Sequence, residues 1–259
     1  MSTFIHETAI VSPDAVIGAD CYIGPFSTVG AEVTLGTGVR LDSHVVVDGR
    51  TSIGDETHVF PFASIGLAPQ DLKYGGEPTA TEIGKRNHIR EFVTIHRGTE
   101  GGGGLTKIGD DNLLMAQAHV AHDCQLGSNI IMANAATLAG HVEIADRANI
   151  GAYSGVHQFC RVGLEAFVGG YSVVVKDAPP YAIIQGNHAK CYGLNKVGLK
   201  RRGYSKDTIE KLHHAYHLLL TAKLNTTQAV ERIKAEISDC KEVDILVNFI
   251  ETSKRGIVK

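Results

Sequence analysis

Residues 120–143 read VAHDCQ-LGSNII-MANAAT-LAGHVE, which are four groups of six residues. Each group opens with an aliphatic residue or methionine, a small residue usually follows, and a small or apolar residue stands fifth. A period of six fits neither an amphipathic helix nor an alternating strand. It is typical of a parallel β-helix built from hexapeptide repeats, in which three groups of six close one triangular coil. The stretch therefore predicts a mainly β fold.

The same six-residue phase continues on both sides of this stretch. It runs from Ile5 to about Val174 and is interrupted twice, at about residues 67–82 and 97–107. Both interruptions are polar and rich in turn residues, so we predict that they are loops leaving a coil that then resumes. We therefore expect residues 1–180 to form one parallel β-helix domain.

Glycines have two expected uses in this part of the chain. Gly18, Gly24, Gly36 and Gly54 follow the aliphatic positions, and we expect them at corners where a positive φ costs glycine little. The run at residues 101–104 favours a flexible loop over a phosphate-binding one, because no strand–turn–helix pattern surrounds it.

The sequence pattern changes after the coil. The sequence DAPP at residues 177–180 should end the ladder, because proline has no N–H to donate. Residues 181–204 read as a polar, glycine-bearing connector. A 3.6-residue period follows, with Ser205 and Asn225 as helix caps, so residues 205–259 are expected to form a small helical domain. The helices are predicted at about residues 205–222, from 225 onward, and at about 242–253.

Composition excludes several classes of function. The chain has 259 residues and a formal net charge of −3, which gives no overall attraction to nucleic acid. No apolar run approaches the ~20 residues that a membrane span needs. The N-terminal residues have no signal-peptide pattern, and five scattered cysteines suit free thiols in a reducing compartment. We therefore expect a cytoplasmic protein.

Histidines concentrate where the coil positions them close together. Residues eighteen apart should stack on successive coils, which predicts two neighbouring columns of polar residues: His122, Gly140 and Gln158 in one, and Asp123, His141 and Phe159 in the other. Further histidines stand nearby, at His96, His119 and His157.

Three interpretations of this cluster remain open from the residues alone. In the first, His122 is a general base that takes a proton from a hydroxyl, and the N–H of Gly140 stabilises an oxyanion. In the second, His119, His122 and His141 hold a catalytic zinc ion. In the third, the histidines only decorate the surface. The adjacent Asp123 would support a base or a metal ligand equally well.

Several longer motifs resemble the family of UDP-N-acetylglucosamine O-acyltransferases. The resemblance covers nearly the whole chain, including the three C-terminal helices. The motifs are QDLKY at residues 70–74, TIHRGT at 94–99, AHDC at 121–124, LAGHV at 138–142, VHQFC at 156–160, GNHA at 186–189 and GLKRRG at 198–203.

This resemblance implies a homotrimer of left-handed parallel β-helices that catalyses the first step of lipid A biosynthesis. Such an enzyme transfers a 3-hydroxyacyl group from acyl carrier protein to the 3-hydroxyl of UDP-N-acetylglucosamine. It needs no metal and no further cofactor, because the acyl donor arrives on the phosphopantetheine of the carrier protein. Two alternatives stay open: a sister hexapeptide N-acyltransferase acting on a UDP-glucosamine derivative, and a structural β-helix without catalysis.

The resemblance also implies roles for individual residues. His122 is the general base, Asp123 orients it and Gly140 supplies the oxyanion N–H. The substrate cleft between subunits is lined by Asp71, Lys73, His119, His141 and Gln158. The nucleotide phosphates or the carrier protein are reached by Asn195, Arg201 and Arg202. The acyl chain is bordered by Gly170 and His188.

One position departs from the family pattern. Where the family commonly has a glutamate that helps to hold the nucleoside, this chain has Val197. Basic residues at 200–202 would steer the acidic carrier protein toward the cleft. A glycine at position 170 leaves room for the far end of a long acyl chain, of about 14 carbons by resemblance to family members with glycine here.

Overall fold

A computed structural model describes residues 2–259 and contains three sheets that form the faces of a triangular coil, all parallel except for the last strand of the first sheet. The strands of the first sheet are Phe4–Ile5, Tyr22–Ile23, Arg40–Leu41, His58–Val59, His88–Ile89, Leu113–Leu114, Ile131–Met132, Asn149–Ile150, Phe167–Val168, Ala182–Gln185 and Lys190–Leu194. Those of the second sheet are Ile10–Val11, Thr28–Val29, Val46–Val47, Ser64–Leu67, Thr94–His96, His119–Val120, Thr137–Leu138, Gly155–Val156 and Val173–Val174. Those of the third sheet are Val16–Ile17, Val33–Leu35, Arg50–Ile53, Ala80–Ile83, Leu105–Ile108, Gln125–Leu126, Glu143–Ile144 and Arg161–Val162.

The fold is the left-handed parallel β-helix that the six-residue period and the resemblance together predict. The chain visits the three sheets in turn, so each coil has three corners. In the coil of residues 113–130, corner 1–2 comprises residues 115–118, corner 2–3 residues 121–124 and corner 3–1 residues 127–130. These corner names apply to every coil.

The aliphatic residue of each six points inward and stacks on its equivalent in the next coil. On the second sheet, Val120 pairs with Leu138 and Leu138 pairs with Val156, and these side chains are at most 2% exposed. Neighbouring strands lie ~4.8 Å apart, so each inward side chain touches the one above and the one below. This apolar ladder is the core of the domain.

The prediction for the corner glycines is wrong about their conformation. Gly18, Gly24, Gly36 and Gly54 do not have a positive φ; the left-handed positions lie two residues further on, at Asp20, Phe26, Gly38 and Glu56. Glycine is required for a different reason. A Cβ on Gly54 would lie 2.6 Å from the carbonyl carbon of Gly84, so the next coil leaves no room for a side chain.

Both loops are shorter than predicted. The coil resumes at Ala80 after the first loop and at Leu105 after the second, so residues 80–82 and 105–107 belong to the third sheet. The register confirms that each coil continues: Ile53 pairs with Ile83, and Ile83 with Ile108. The second loop contains a short 3₁₀ helix, Glu100–Gly102.

The segment predicted as a connector has regular structure. Ala182–Gln185 continues the first sheet in parallel, and Lys190–Leu194 returns antiparallel to it. Four helices follow from there: α1 (Lys196–Arg201), α2 (Lys206–Leu220), α3 (Thr226–Glu236) and α4 (Lys241–Glu251). Ser205 caps α2, and Asn225 forms a capping box with Gln228, as the sequence indicated. No helix within residues 2–259 is both long and apolar enough to span a bilayer.

Two buried carboxylates join the helical segment to the coil. Asp177 accepts hydrogen bonds from the backbone N–H and side chain of Arg161, whose guanidinium also donates to the Phe249 carbonyl of α4. Glu165 accepts from the hydroxyl of Tyr204 and pairs with the Arg202 guanidinium at 3.1 Å. Both carboxylates are 1% exposed, and removing one partner of such a pair leaves a buried charge uncompensated.

Candidate active site

His122 and Asp123 form a hydrogen-bonded pair at corner 2–3. The Nδ1 atom of His122 lies 2.8 Å from Oδ2 of Asp123, and the two side chains are 17% and 1% exposed. A carboxylate only accepts hydrogen bonds, so the Nδ1 proton of His122 points to Asp123. The Nε2 atom is then left as an acceptor, which is the arrangement of a general base.

The His122 imidazole lies directly on the backbone of Gly140. A Cβ at position 140 would lie 2.5 Å from Cε1 of His122, so only glycine fits beneath the ring. The carbonyl of Gly140 accepts a hydrogen bond from the N–H of Phe159. Its own N–H donates to no group among residues 2–259. The column predicted from the eighteen-residue spacing thus brings these two residues into contact.

His141 is the second histidine of the site. Its ring stacks on Phe159 with centroids 4.4 Å apart, and its Nδ1 atom lies 3.9 Å from Oδ2 of Asp123. Burial lowers the pKa of His141, while the charges of Asp123 and Asp71 oppose that shift. The charge of Asp71, in the first loop, therefore acts on the His141 ring.

His119 and His96 lie beside this corner, on the second sheet. Nδ1 of His119 is 2.7 Å from the hydroxyl of Thr94, and its ring lies edge-on to that of His96 at 5.2 Å. Burial lowers the pKa of both rings, to about 4 for His96. His96 is 5% exposed, and its Nδ1 has no hydrogen-bond partner among residues 2–259.

Sequence reasoning missed Thr99, which contacts the same carboxylate as His122. Its backbone N–H and hydroxyl both donate to the carboxylate. Thr99 belongs to the second loop, for which the glycine run at residues 101–104 predicted only flexibility. The TIHRGT motif at residues 94–99 ends on Thr99 and was the one signal that could have found it.

A metal ion could also be held at this corner. Within residues 2–259, one group has metal-ligating geometry: one donor atom each from His122, Asp123 and His141 lies within 4.8 Å of the others. The group contains Asp123 in place of His119, so it differs from the three-histidine zinc set considered above. Such a metal would compete with the His122–Asp123 hydrogen bond.

The remaining residues of the predicted cleft lie at the surface near corner 2–3. Gln158 is exposed in the column above Gly140. Lys73 is exposed in the first loop, where its backbone N–H donates to the carboxylate of Asp71. These positions leave their side chains free to contact a bound molecule.

The predicted nucleotide residues lie at a second place in the chain. A cavity of about 370 Å³ beside the first sheet is lined by Asn149, Phe167, Ile183, Asn195, Val197, Gly198, Arg201 and Arg202. Two of the three predicted nucleotide residues have side-chain partners within the chain. Asn195 caps α1 through the N–H of Gly198, and Arg202 contacts Glu165 and the Arg147 carbonyl. Arg201 is exposed and has no ion pair among residues 2–259.

Gly170 and His188 lie near corner 1–2, on a different edge of the coil from His122. Gly170 is exposed and has no positive φ, and a Cβ there would meet the carbonyl oxygen of Ala152 at 3.3 Å. A side chain there would require the Ala152 carbonyl to move by a few tenths of an ångström, whereas the φ of Gly170 does not itself require glycine. His188 follows the first-sheet strand Ala182–Gln185 in the turn that leads to Lys190–Leu194.

Comparisons with known proteins agree with this architecture. The profile described as "Udp N-acetylglucosamine O-acyltransferase; Domain 2" matches residues 177–258, and that of the bacterial transferase hexapeptide matches residues 14–49. LpxA from Acinetobacter baumannii is 47% identical, with 98% of this chain and 99% of that chain covered and a TM-score of 0.96.

Two further structures match over the same length. LpxA from Bacteroides fragilis, a UDP-N-acetylglucosamine acyltransferase, is 40% identical, with 99% of this chain and 100% of that chain covered and a TM-score of 0.96. The Arabidopsis UDP-N-acetylglucosamine acyltransferase is 34% identical, with 99% of this chain and 100% of that chain covered and a TM-score of 0.88.

The lowered pKa of His96 predicts a pH-dependent stability. As pH falls below the ordinary value of about 6.5, the unfolded chain binds a proton at His96 that the folded chain does not bind until about pH 4. The free energy of unfolding therefore decreases across this window. Between pH 7 and 4.5, the native chain should lose about 2–3 kcal/mol more stability than His96→Gln, measured by urea unfolding. His88→Gln, at an exposed position, should behave like the native chain; equal losses in all three would contradict the prediction.

Proposed function

The chain belongs to the UDP-N-acetylglucosamine O-acyltransferase family, and we propose that it transfers a 3-hydroxyacyl group from acyl carrier protein to the 3-hydroxyl of UDP-N-acetylglucosamine, the first step of lipid A biosynthesis. The observation that carries this proposal is the His122–Asp123 pair lying on the backbone of Gly140. These are the groups that acyl transfer to a hydroxyl requires: a base and an oxyanion donor. Carrier protein and nucleotide sugar are both cytoplasmic, which favours a cytoplasmic enzyme.

The reaction follows from that geometry. Nε2 of His122 takes the proton of the 3-hydroxyl as its oxygen attacks the thioester carbonyl carbon. The negative charge moves to the carbonyl oxygen, where the N–H of Gly140 donates a hydrogen bond to it. The intermediate then collapses, the carbon–sulfur bond breaks, and the leaving thiolate takes the proton from His122. Asp123 keeps the ring oriented and stabilises its charged form between the two transfers. No step needs a metal, so the donor's phosphopantetheine is the only prosthetic group involved.

The second sheet has the surface that trimerisation would use. Its outward-facing positions carry no charged side chain: Ile10, Thr28, Val46, Ser64, Thr94, His119, Thr137, Gly155 and Val173. The equivalent positions of the third sheet include Glu82, Lys107, Glu143 and Arg161. Interfaces between subunits are depleted in charge at their centre. The second sheet is therefore the face that best fits an interface.

Corner 1–2 supplies a further apolar surface. Phe26, His44, Phe62 and Phe92 stack one above another with centroids 4.8–5.1 Å apart, and the three phenylalanines are about half exposed. Three copies with their second sheets around a threefold axis bring corner 2–3 of each copy against corner 1–2 of a neighbour. The His122 site then gains a second wall, which holds the neighbour's Gly170.

In this arrangement the sugar, acyl and nucleotide sites would follow one another along one cleft. The sugar lies between His122 and the first loop, where Asp71 and Lys73 reach it. The acyl chain passes along the neighbour's corner 1–2, past Gly170 and toward His188. Arg201 is exposed at the cavity that would take the nucleotide, and Lys200 is exposed one residue before it. Both cations would attract the acidic carrier protein. Val197 is 60% exposed there and offers no carboxylate to the nucleoside.

The proposed trimer has a direct test. Light scattering at micromolar concentration should give a mass near three times 27.7 kDa. Thr137→Lys places three like charges near the threefold axis and should dissociate the trimer. Thr34→Lys is the matched control, because Thr34 is an exposed outward residue of the third sheet. A native monomer, or dissociation by both variants alike, would contradict this arrangement.

The proposed base is tested with purified protein, UDP-N-acetylglucosamine and a set of hydroxyacyl carrier proteins, with products identified by mass. His122→Ala should lower the rate by about 10²–10⁴, or roughly 3–5 kcal/mol of barrier, because the hydroxyl loses its proton acceptor. The variant should keep the molecular mass of the native protein. Loss of activity with a chelator and recovery with zinc would instead favour a metal at His122, Asp123 and His141. Absence of any acylated product would count against the function itself.

Chain length provides the last test of this assignment. Gly170→Met should block the far end of the acyl groove and shift the preference from about 14 carbons toward about 10. Each methylene denied burial costs ~0.8 kcal/mol, so four carbons amount to about 3 kcal/mol, or roughly a hundredfold in selectivity. Competition between two acyl donors measures the ratio directly. An unchanged ratio would place the length determinant elsewhere, with His188 the next position to change.

A further inference from the structure

We propose that Thr99 is a positioning residue that keeps the carboxylate of Asp123 on His122 and away from His141. This inference rests on the proposed function. Two histidines compete for one carboxylate oxygen: Oδ2 of Asp123 lies 2.8 Å from Nδ1 of His122 and 3.9 Å from Nδ1 of His141. The histidine that donates its Nδ1 proton to this oxygen has its Nε2 atom free as a hydrogen-bond acceptor. The choice between them decides which ring can act as the base.

Thr99 fixes that choice with two donor groups. Its backbone N–H lies 2.9 Å from Oδ1 and 3.1 Å from Oδ2 of Asp123, and its hydroxyl lies 2.6 Å from Oδ2. Thr99 is 9% exposed and Asp123 4%, so water does not replace these donors readily. Hydrogen bonds to a charged acceptor in such a site are short and strong. The Thr99 hydroxyl and His122 bind the same oxygen, Oδ2, so a carboxylate that moves this oxygen away from His122 also weakens its bond to Thr99.

The second loop is folded so that Thr99 has one position. The carbonyl of Thr99 accepts hydrogen bonds from the N–H groups of Gly102 and Gly104, at 3.0 and 2.8 Å. The N–H of Gly98 donates to the carbonyl of Ala80, on the neighbouring strand of the third sheet. The glycine run thus forms a closed turn that presents the donors of Thr99 to Asp123.

Gly102 closes this turn over the carboxylate itself. A Cβ at position 102 would lie 2.1 Å from Cγ of Asp123, so any side chain there displaces the carboxylate. Gly101 has no heavy atom within 4 Å of its Cβ position. Two adjacent glycines with such different surroundings provide a matched pair for experiment.

The test begins with Thr99→Val, which removes the hydroxyl, and Thr99→Ser, which keeps it. Thr99→Val should lower kcat by about 10- to 100-fold with KM changed less than about twofold, because Thr99 contacts His122 only through Asp123. Thr99→Ser should restore most of the loss. A large rise in KM, or no rescue by serine, would overturn the positioning role.

Competition by His141 is tested with a double-mutant cycle. In a His141→Gln background, Thr99→Val should lower kcat by less than about threefold, since no second histidine remains to take the carboxylate. An equal effect of Thr99→Val in both backgrounds would refute the competition.

A spectroscopic readout separates this inference from the function it rests on. ¹⁵N NMR of the histidine rings should show His122 protonated at Nδ1 in the native protein and a mixture of tautomers in Thr99→Val, with or without any substrate. Gly102→Ala should give the same mixture, and Gly101→Ala the native spectrum. If the spectra of all these variants match the native one, Thr99 does not position His122, whatever reaction the enzyme catalyses.

Discussion

The stacking of inward aliphatic side chains eighteen residues apart is the constraint on which the rest of this structure depends. Each side chain of the ladder is covered only by its equivalents on adjacent coils and by the other two faces. The backbone must therefore turn at the same place in every six. Residues as different as Phe26, Arg86 and Asp123 have a positive φ because each stands three residues after the inward aliphatic residue of its six. Positive φ costs non-glycine residues free energy, which the buried ladder and the parallel hydrogen bonds offset.

The candidate site lies where this regular ladder meets its two irregular insertions. The first loop leaves corner 2–3 after Leu67, and the second leaves it after His96. The coils bring His122, Gly140 and His141 together by spacing alone. The loops add what spacing cannot: Asp71 near His141, and Thr99 on Asp123. The coil thus fixes where Asp123 and the two histidines lie, and the second loop holds Asp123 in its pairing with His122.

The thinness of the coil limits where a cleft can form. A triangular coil has no concave surface of its own, so a cleft needs a second wall from a loop, a helix or another copy. The helical segment is fastened by Asp177 and Glu165, two buried carboxylates with arginine partners. The pairing of Glu165 with Arg202 also limits how freely Arg202 can contact a phosphate. The uncharged second sheet is the face that the proposed threefold arrangement would use to complete the His122 site.

The sequence by itself determined the coil, its two interruptions, the column of His122 and Gly140, and the caps of α2 and α3. Each of these depends on local period or on residues within one or two coils, which spacing reports directly. Only the tertiary structure showed why position 54 is glycine, where the strands within residues 181–204 lie and which groups Arg202 contacts. It alone showed that the Thr99 hydroxyl donates a hydrogen bond to Asp123, which lies 24 residues further along the chain. The first is a contact between Gly54 and Gly84 on successive coils, which the period locates but whose closeness it does not report. The others depend on contacts between segments whose relative placement has no period, so no repeat in the sequence could encode them.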